Sequence, residues 1–251
     1  MNGIKGKVHV ITGGYGGIAT ATARLLAADG GTVVLTGRNA EAGQQRADQI
    51  KAETGGDVRF YPLDVTDASA VEATAERIVR EVGPVHGVVV NAAKAAIAPA
   101  LDHDDTEWRD VMATNLDGAF FCTRSFARRM KDKGGSIVII SSIGARTATG
   151  PHIAYSASKA GVSHMARVLA VDWASMGIRV NAVEPGHTAT DAIQHIQREA
   201  PEVAAQLESQ IPLGRFLKPE EIGNVIHFLL SDLSSAMTGA VVVADGGFSA
   251  K

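Results

Sequence analysis

Seven short apolar runs recur along the chain, and longer amphipathic stretches separate them. The runs are rich in valine and isoleucine, and most of them do not alternate with polar residues. They occupy 7–12, 32–36, 58–63, 85–91, 136–142, 178–184 and 240–246. Runs of this kind are typical of strands that are buried on both faces of a parallel sheet. The sequence therefore predicts seven parallel strands.

The stretches between the runs have helical periodicity. In 67–83, Val71, Ala75 and Ile78 fall on one helical stripe, and Asp67 precedes them as a capping residue. Strands that alternate with helices build right-handed βαβ units, and these place helices on both faces of the sheet. We therefore predict an α/β, doubly wound Rossmann fold with a seven-stranded parallel sheet.

One region interrupts the alternation. The irregular stretch 186–218 lies between the sixth and seventh runs. In doubly wound sheets, ligands bind at the carboxyl ends of the strands, which is where this insertion would lie. We expect 186–218 to cover the substrate.

Composition limits the class of protein. With 251 residues, 45% of them hydrophobic, the chain is long enough for one domain over 1–251 with a sizeable core. A net charge of −3 argues against nucleic-acid and membrane-surface partners, which usually require a basic excess. Cys122 is the single cysteine, which fits a reducing compartment. There is no signal-peptide pattern and no run of ~18 apolar residues, so we expect a cytoplasmic protein.

A glycine-rich turn, TGGYGGIA, occupies 12–19, directly after the first run and at the start of the first helix. Gly13, Gly14, Gly16 and Gly17 allow a tight turn and a close approach to a ligand. The N-terminus of the following helix offers free N–H groups and a positive dipole end to a pyrophosphate. This context predicts a dinucleotide cofactor, and a plain turn is the alternative.

The second run ends in LTGRN, which bears on the choice of cofactor. An NAD site of this fold has an acidic side chain here that accepts hydrogen bonds from the ribose, whereas this chain has Arg38. An arginine can bind the 2′-phosphate of NADP. We predict NADP(H) as the favoured cofactor, with NAD(H) as the alternative, and an ordinary solvated role for Arg38 if this is wrong.

Tyr155 and Lys159 are four residues apart, so a helix brings them to one face. A tyrosine has a pKa of about 10, and a nearby cation stabilises the phenolate and lowers that value. We expect Tyr155 to donate a proton to a carbonyl oxygen, with Lys159 lowering its pKa and binding the nicotinamide ribose. Ser142 ends the fifth run and could bind the same oxygen; the alternative is that it only caps a turn.

These residues together resemble the short-chain dehydrogenase/reductase family, of the single-domain type of about 250 residues, over nearly the whole chain. The ordered motifs are Thr12-Gly13-x-x-x-Gly17-Ile18, Asp64-Val65, Asn91-Ala92, Asn115-Leu116-x-Gly118, Ser142, Tyr155-x-x-x-Lys159, Pro185-Gly186 and Asp245-Gly246-Gly247. The resemblance implies hydride transfer between a nicotinamide cofactor and a ketone or secondary alcohol, such as a 3-oxoacyl-type or other small carbonyl substrate.

The resemblance also implies residue roles. The catalytic tetrad would be Asn115, Ser142, Tyr155 and Lys159, in which Asn115 holds a water that refills the proton on Tyr155. The cofactor would contact Gly13, Tyr15, Gly17, Ile18, Arg38, Asn39, Asp64, Val65, Asn91, Ala92, Tyr155, Lys159, Pro185, Gly186, Thr188 and Thr190. The chain departs from the family pattern where Ala19 replaces its third glycine and Ala93 replaces a glycine beside the cofactor. The glycine turn also lacks the basic residue common in NADP-preferring members.

Two other functions remain open from the sequence. A dinucleotide-binding sensor or scaffold would keep the fold without the chemistry, although it would be expected to lose part of the tetrad. A sugar-nucleotide epimerase or dehydratase of the related longer family would need a larger C-terminal domain than the residues after Pro185 provide.

The substrate is less determined. The expected lining, 93–99, 143–153 and 186–210, is mostly apolar. Arg146 could bind an anionic group, but a solvated loop arginine is the default. The histidines of this lining, His152, His187 and His195, have no metal-ligand spacing, so we expect no metal and assign them surface or packing roles.

The last predicted helix suggests self-association. In the predicted helix 219–232, the apolar residues wrap more than one helical face, although a surface helix needs only one apolar stripe. A second self-pairing face would come from helices over 104–131 and 152–177. The family resemblance implies D₂ symmetry, so we predict a homotetramer, with a dimer as the next choice.

Overall fold

Seven strands form one parallel sheet in the computed structural model, which describes residues 3–148 and 150–250. The strands are β1 (Val8–Thr12), β2 (Thr32–Gly37), β3 (Val58–Pro62), β4 (Val85–Val90), β5 (Gly135–Ile140), β6 (Ile178–Pro185) and β7 (Val241–Ala244). Their order is β3-β2-β1-β4-β5-β6-β7, and all pairings are parallel. The predicted doubly wound sheet is therefore confirmed, and its order reverses between β1 and β4, where a ligand crevice forms.

Helices cover both faces of this sheet. They are α1 (Gly17–Ala28), α2 (Ala40–Thr54), α3 (Ala68–Glu81), α4 (Asp105–Met112), α5 (Gly118–Met130), α6 (Ile153–Trp173), α7 (Asp191–Glu199), α8 (Pro201–Ser209) and α9 (Pro219–Leu230). One hydrophobic cluster joins the strands to α3, α5 and α6, and a second joins them to α1, α2 and α9. Val10 belongs to the first cluster and its neighbour Ile11 to the second. Because successive strand residues point to opposite buried faces, the runs are apolar without alternation.

Two local features of the helices involve predicted residues, a cap on α3 and a π turn before α5. The Asp67 side chain caps α3 by accepting hydrogen bonds from the amides of Ser69 and Ala70, as predicted. A single helix was expected over 104–131, but a π turn, Ala113–Asp117, joins α4 to α5. Such π turns are frequent at functional sites, and this one contains Asn115.

The insertion after β6 folds into the two short helices α7 and α8. Its ends are held together because the Ala189 amide donates to the Leu217 carbonyl, at 2.8 Å, and the Leu217 amide donates to the His187 carbonyl, at 2.9 Å. Ala204, Ile211 and Phe216 give the segment a small core of its own. The insertion is therefore an ordered flap anchored at its base.

The apolar residues of α9 mostly serve the subunit's own core. Ile222, Ile226, Leu229 and Leu230 are buried between α1 and the sheet. These four residues are therefore not available for the self-association that the sequence pattern predicted.

Cys122 on α5 is a packing residue. Its side chain is fully buried, and burial raises the pKa of the thiol to about 12. In the described ranges, no helix combines the length and the apolar character that crossing a bilayer requires.

Candidate active site

Two adjoining cavities open at the carboxyl ends of the strands. One, of about 440 Å³, lies beside the glycine turn, and the other, of about 350 Å³, surrounds Tyr155. Asn91 and Ala93 line both cavities. The two spaces are therefore the halves of one cleft at the β1/β4 crevice, where the topology predicts a ligand.

The glycine turn forms a backbone cradle in the larger cavity. Gly13 has a φ of 63°, and a Cβ there would lie 2.8 Å from the Cα of Ala92, so a side chain is excluded. Gly16 precedes α1 and lines the cavity. A Cβ at Gly16 would contact only the Gly13 carbonyl oxygen, at 3.8 Å, within the described chain. The cradle is open toward the cleft, and the N-terminus of α1 fits a pyrophosphate there.

Thr12 and Asn91 tie the ends of β1 and β4 together beneath this cradle. The Thr12 hydroxyl accepts hydrogen bonds from the amides of Asn91 and Ala92, at 3.0 and 3.1 Å. The Asn91 side chain donates to the carbonyl oxygens of Thr12 and Gly13, both at 3.1 Å. The crevice is thus held at a fixed width before any ligand enters.

The far end of the larger cavity has the groups expected for an adenosine. Its lining includes the predicted residues Tyr15, Arg38, Asp64 and Val65. The Tyr15 ring lies against Gly37, where a Cβ would come within 2.4 Å of Cε1. Hydrogen bonds from Thr66 hold the pKa of Asp64 below its ordinary value, and the charge of Arg38 adds to this effect.

Asn39 has a different position from the one expected. Its side-chain oxygen accepts a hydrogen bond from the Ala42 amide, at 3.0 Å, and caps α2. The residue is exposed, and it does not belong to the described lining of the cavity. Its side chain therefore serves the helix terminus.

Tyr155 and Lys159 lie on one face of α6, as their spacing predicts. The Lys159 ammonium is 5.6 Å from the centre of the Tyr155 ring, and it donates to the Ile140 carbonyl, at 2.7 Å. Because Ile140 ends β5, this bond ties the strand that leads to Ser142 to the helix that carries the pair. Burial lowers the pKa of Lys159 to about 8, so the ammonium is still mainly protonated at neutral pH.

Burial is the main influence on the Tyr155 hydroxyl. It raises the pKa of Tyr155 above its ordinary value, and the neighbouring Ser142 hydroxyl lowers it by a smaller amount. The spacing of Lys159 and Tyr155 predicted that the ammonium lowers this pKa. In the structure the Lys159 ammonium is bound to the Ile140 carbonyl, and burial dominates the pKa of Tyr155. The expected direction was therefore wrong for the protein alone.

Asn115, the fourth residue of the predicted tetrad, lies on the π turn Ala113–Asp117. Its amide nitrogen donates to the Lys94 carbonyl, at 2.9 Å, and to the Ser158 hydroxyl, at 3.0 Å. Its oxygen accepts from the Lys94 amide, at 2.8 Å. The buried side chain therefore connects the segment after β4 to α6, at the residue before Lys159.

Comparison with known proteins identifies the family. The family model described as enoyl-(acyl carrier protein) reductase matches residues 6–249. D-threitol dehydrogenase of Mycolicibacterium smegmatis is 36% identical over 99% of this chain and 95% of that protein. The NADP-dependent (R)-specific alcohol dehydrogenase of Lentilactobacillus kefiri is 37% identical over 99% and 98%. A crystal structure of a short-chain type dehydrogenase/reductase from Mycobacterium marinum superposes with a TM-score of 0.93, at 33% identity, covering 99% of this chain and 97% of that one.

The chain belongs to the short-chain dehydrogenase/reductase family. It is an oxidoreductase whose relatives act on alcohol and carbonyl groups with a nicotinamide cofactor. These findings favour the enzyme over the sensor or scaffold. The match over almost the whole length of dehydrogenases also disfavours the longer epimerase or dehydratase family.

This short-chain dehydrogenase/reductase contains a buried polar network that the sequence did not reveal. Arg146 donates to the buried carboxylate of Glu184 on β6, which also lies 2.7 Å from the Ser163 hydroxyl. The Ser163 oxygen is 2.7 Å from that of Ser141, which bonds the Lys159 carbonyl at 2.8 Å. Arg146 therefore pairs with a carboxylate of its own chain, while 41% of its side chain stays exposed to solvent. The sequence signal that could have revealed this network is Glu184, an acidic residue inside the apolar run 178–184.

Of the other predicted cofactor residues, Ala92 lines the larger cavity and Gly17 lines neither of the two, whereas a further group lines the cavity around Tyr155. This group comprises Ile18, Asn91, Pro185, Gly186, Thr188 and Thr190. His152 and His187 also line it, and His187 packs edge-on against Phe216 and Phe248, in agreement with a packing role. His195 is exposed on α7, in agreement with a surface role. The two histidines come from separate elements, so their spacing in sequence gave no signal of this proximity.

Proposed function

We propose that this protein transfers hydride between NADP(H) and a small ketone or secondary alcohol, with Asn115, Ser142, Tyr155 and Lys159 as its catalytic tetrad. The observation that supports this most directly is that Ser142, Tyr155 and Lys159 line one cavity, which continues into the glycine cradle. A nicotinamide held in this cleft would supply or accept the hydride.

Tyr155 is the proton donor in reduction and the acceptor in oxidation. Because burial raises its pKa, the phenol is protonated near neutral pH and can donate to the carbonyl oxygen as charge develops there. The Ser142 hydroxyl donates a second hydrogen bond to that oxygen, and donors of this type contribute about 10²–10³ in rate. The Lys159 ammonium provides positive charge beside the phenolate that forms.

Asn115 acts as a positioning residue in this proposal. Its hydrogen bonds to Lys94 and Ser158 hold the segment after β4 and the helix of Lys159 in register. The water that the family resemblance implies at Asn115 stays a prediction.

For the cofactor we propose contacts to the predicted residues that line the cleft, together with Gly17. They are Gly13, Tyr15, Gly17, Ile18, Arg38, Asp64, Val65, Asn91, Ala92, Tyr155, Lys159, Pro185, Gly186, Thr188 and Thr190. Gly17 is included because it opens α1, and a role for Asn39 would be limited to its backbone. Support for NADP(H) comes from Arg38, the one cation in the described lining of the adenosine half. The relative from Lentilactobacillus kefiri is named as NADP-dependent.

The flap over 186–218 is proposed to cover the substrate. Thr188, Thr190 and Ile193 extend from it into the lining of the cavity around Tyr155. A volume of about 350 Å³ must also accommodate the nicotinamide, so the space favours a small substrate.

A homotetramer remains our proposal for the assembly, although its support moves from α9 to α5 and α6. Phe120, Val168 and Val171 expose apolar surface there, and Val171 is 80% exposed. Because α4 begins with Asp105 and Arg128 lies in the last turn of α5, an antiparallel second copy would bring opposite charges together. Sedimentation equilibrium tests this, and a stable particle near 26.1 kDa would contradict it.

The cytoplasmic location also stays a prediction, testable by cell fractionation.

An absorbance assay of the nicotinamide tests the proposed reaction. Ketones, 3-oxoacyl thioesters and secondary alcohols would be offered with both cofactors at equal concentrations. We expect turnover with small carbonyl compounds or alcohols, at higher kcat/KM with NADP(H). No turnover with any compound would refute the reaction, and a preference for NAD(H) would refute the cofactor assignment alone.

A further inference from the structure

A second polar cavity lies at the amino ends of the strands, on the edge of the sheet opposite the cleft. It has a volume of about 240 Å³ and is found where β1, β4, β5 and β6 begin. Its lining includes Lys7, His86, Lys133, Arg179 and Asp232, together with the backbone of several glycines. We call this space the basal cavity. None of these five residues belongs to the described lining of the cleft, so the proposed hydride transfer does not use them.

Positive charge exceeds negative charge in the basal cavity. Its described lining contains three permanent cations, Lys7, Lys133 and Arg179, and one carboxylate, that of Asp232. The carboxylate lies 3.4 Å from the Lys7 ammonium, and the Asp232 side chain is 62% exposed, so this ion pair is weak. Because the whole chain has a net charge of −3, the cavity concentrates cations against the overall charge of the protein.

The two ammonium groups lie close to one imidazole. Burial lowers the pKa of His86, and the charges of Lys7 and Lys133 lower it further. The lysines precede different strands, β1 and β5, so the fold brings their charges to the same ring. The His86 ring is held in place because its Nδ1 accepts a hydrogen bond from the Val8 amide, at 3.2 Å. A neutral imidazole supplies no negative charge to balance the two lysines.

Arg179 adds a half-buried guanidinium to the basal cavity. It donates to the backbone carbonyls of Met237, at 3.0 Å, Leu229, at 2.8 Å, and Ser231, at 3.3 Å. These bonds fix the guanidinium without neutralising its charge, and burial lowers the pKa of Arg179. A guanidinium has five N–H groups, so two of them have no partner in the part of the chain that the structure describes. They remain available to an anion.

Glycine backbone forms one wall of the basal cavity and keeps it free of side chains. Gly134 and Gly177 have φ values of 70° and 69°. A Cβ at Gly134 would lie 2.5 Å from the Gly177 carbonyl oxygen, and a Cβ at Gly135 would lie 2.6 Å from the His86 carbonyl oxygen. Because side chains are excluded at these crossings, the cavity is a fixed feature of the fold.

We propose that the basal cavity binds a dianionic phosphate group, either as inorganic phosphate or as the monoester of a small molecule. A doubly charged anion balances the excess of cations, whereas a single carboxylate would leave part of it unbalanced. Lysine binds phosphate as a point charge and arginine binds it through directed N–H groups, and the cavity contains both. The site is separate from the cleft and does not depend on the proposed reaction.

Isothermal titration calorimetry with inorganic phosphate, at constant ionic strength, tests this site in protein saturated with NADP⁺. The cofactor occupies the phosphate-binding groups proposed for the cleft. We expect a Kd in the millimolar range. Lys133→Met should raise it about threefold, the usual effect of an exposed charge, and the double variant Lys7→Met/Lys133→Met about tenfold. Asp232→Asn should lower the Kd, because it removes the competing carboxylate.

The matched control is Lys51→Met, which removes an exposed lysine from α2 and should leave the Kd unchanged. Methyl phosphate distinguishes the two sources of the phosphate group: a lower Kd than that of inorganic phosphate identifies a monoester as the ligand, and an equal or higher Kd identifies the free ion. Formate, a monoanion, should bind more weakly than either.

Three results would overturn the proposal. They are the absence of phosphate binding by the wild type, binding of formate as tight as that of phosphate, and an equal rise of the Kd in Lys51→Met and Lys133→Met. Turnover of Lys133→Met should equal that of the wild type, because Lys133 lies outside the cleft. Failure of this site would therefore leave the proposed function intact.

Discussion

The Arg146–Glu184 pair tests how the region around the catalytic residues is held in place. The side chain of Glu184 is 3% exposed and that of Arg146 is 41% exposed. Arg146→Met would leave the buried carboxylate with the Ser163 hydroxyl, at 2.7 Å, as its described partner. Removing one partner of a fully buried pair costs about 3–5 kcal/mol. Because solvent screens the exposed part of Arg146, we expect a loss of about 2 kcal/mol in the free energy of unfolding.

A double-mutant cycle isolates this interaction. Glu184→Gln removes the charge but keeps an oxygen for Ser163, so we expect it to cost about 1 kcal/mol. In the double variant, the loss should be smaller than the sum of the single losses by about 1 kcal/mol. One kcal/mol shifts the Tm of a protein of this size by about 2–4 °C, so Arg146→Met should melt about 4–8 °C lower. Its kcat should also fall, because the network reaches the Lys159 carbonyl through Ser141.

Calorimetry and urea unfolding of the wild type, the two single variants and the double variant measure these changes in Tm and in the free energy of unfolding. Arg215→Met is the matched control, because Arg215 pairs with Glu221 at the surface, and it should lower the Tm less. If Arg146→Met melts with the wild type, or if the two single losses simply add, the network provides no coupling and the reasoning is wrong.

Three further predictions concern the cofactor and pH. Arg38→Ala should raise the Kd for NADPH far more than that for NADH, measured by fluorescence titration, and equal changes would refute the assignment of Arg38. Burial lowers the pKa of Lys159 from 10.5 to about 8, so the unfolded chain binds more protons between these values and stability should rise with pH there. Lys159→Met should remove that rise in urea unfolding. Burial also lowers the pKa of His9 from 6.5 to about 3, so stability should fall as pH drops through that window. If His9→Leu loses as much stability as the wild type between pH 7 and pH 4, His9 is not the cause.

Local pattern was sufficient for much of the fold and for the core of the site. The apolar runs coincide with the strands to within a residue or two at most ends, because strands buried on both faces need continuous apolar sequence. The spacing of Tyr155 and Lys159 placed them on one helical face, since only the helical period is needed for that. The glycine turn could also be predicted, because a cluster of glycines between a strand and a helix is a local pattern. The structure shows that a side chain is excluded at Gly13.

The features that sequence missed depend on neighbours distant along the chain. Arg146 and Glu184 are 38 residues apart, and only the folded sheet brings them together. The apolar excess of α9 was visible, but the second layer that buries it, α1, was not. By contrast, Asn39 is a preferred residue for the N-cap of a helix, so its capping role was accessible from the sequence.

The most direct test of the proposed catalysis is turnover by Tyr155→Phe, measured beside NADPH binding by the same folded variant. This change removes the phenolic proton donor and keeps the ring. We expect kcat to fall by about 10²–10⁴-fold, the usual contribution of a general acid, while the Kd for NADPH stays near that of the wild type. A folded Tyr155→Phe enzyme that binds NADPH and turns over at a rate close to wild type would contradict the account.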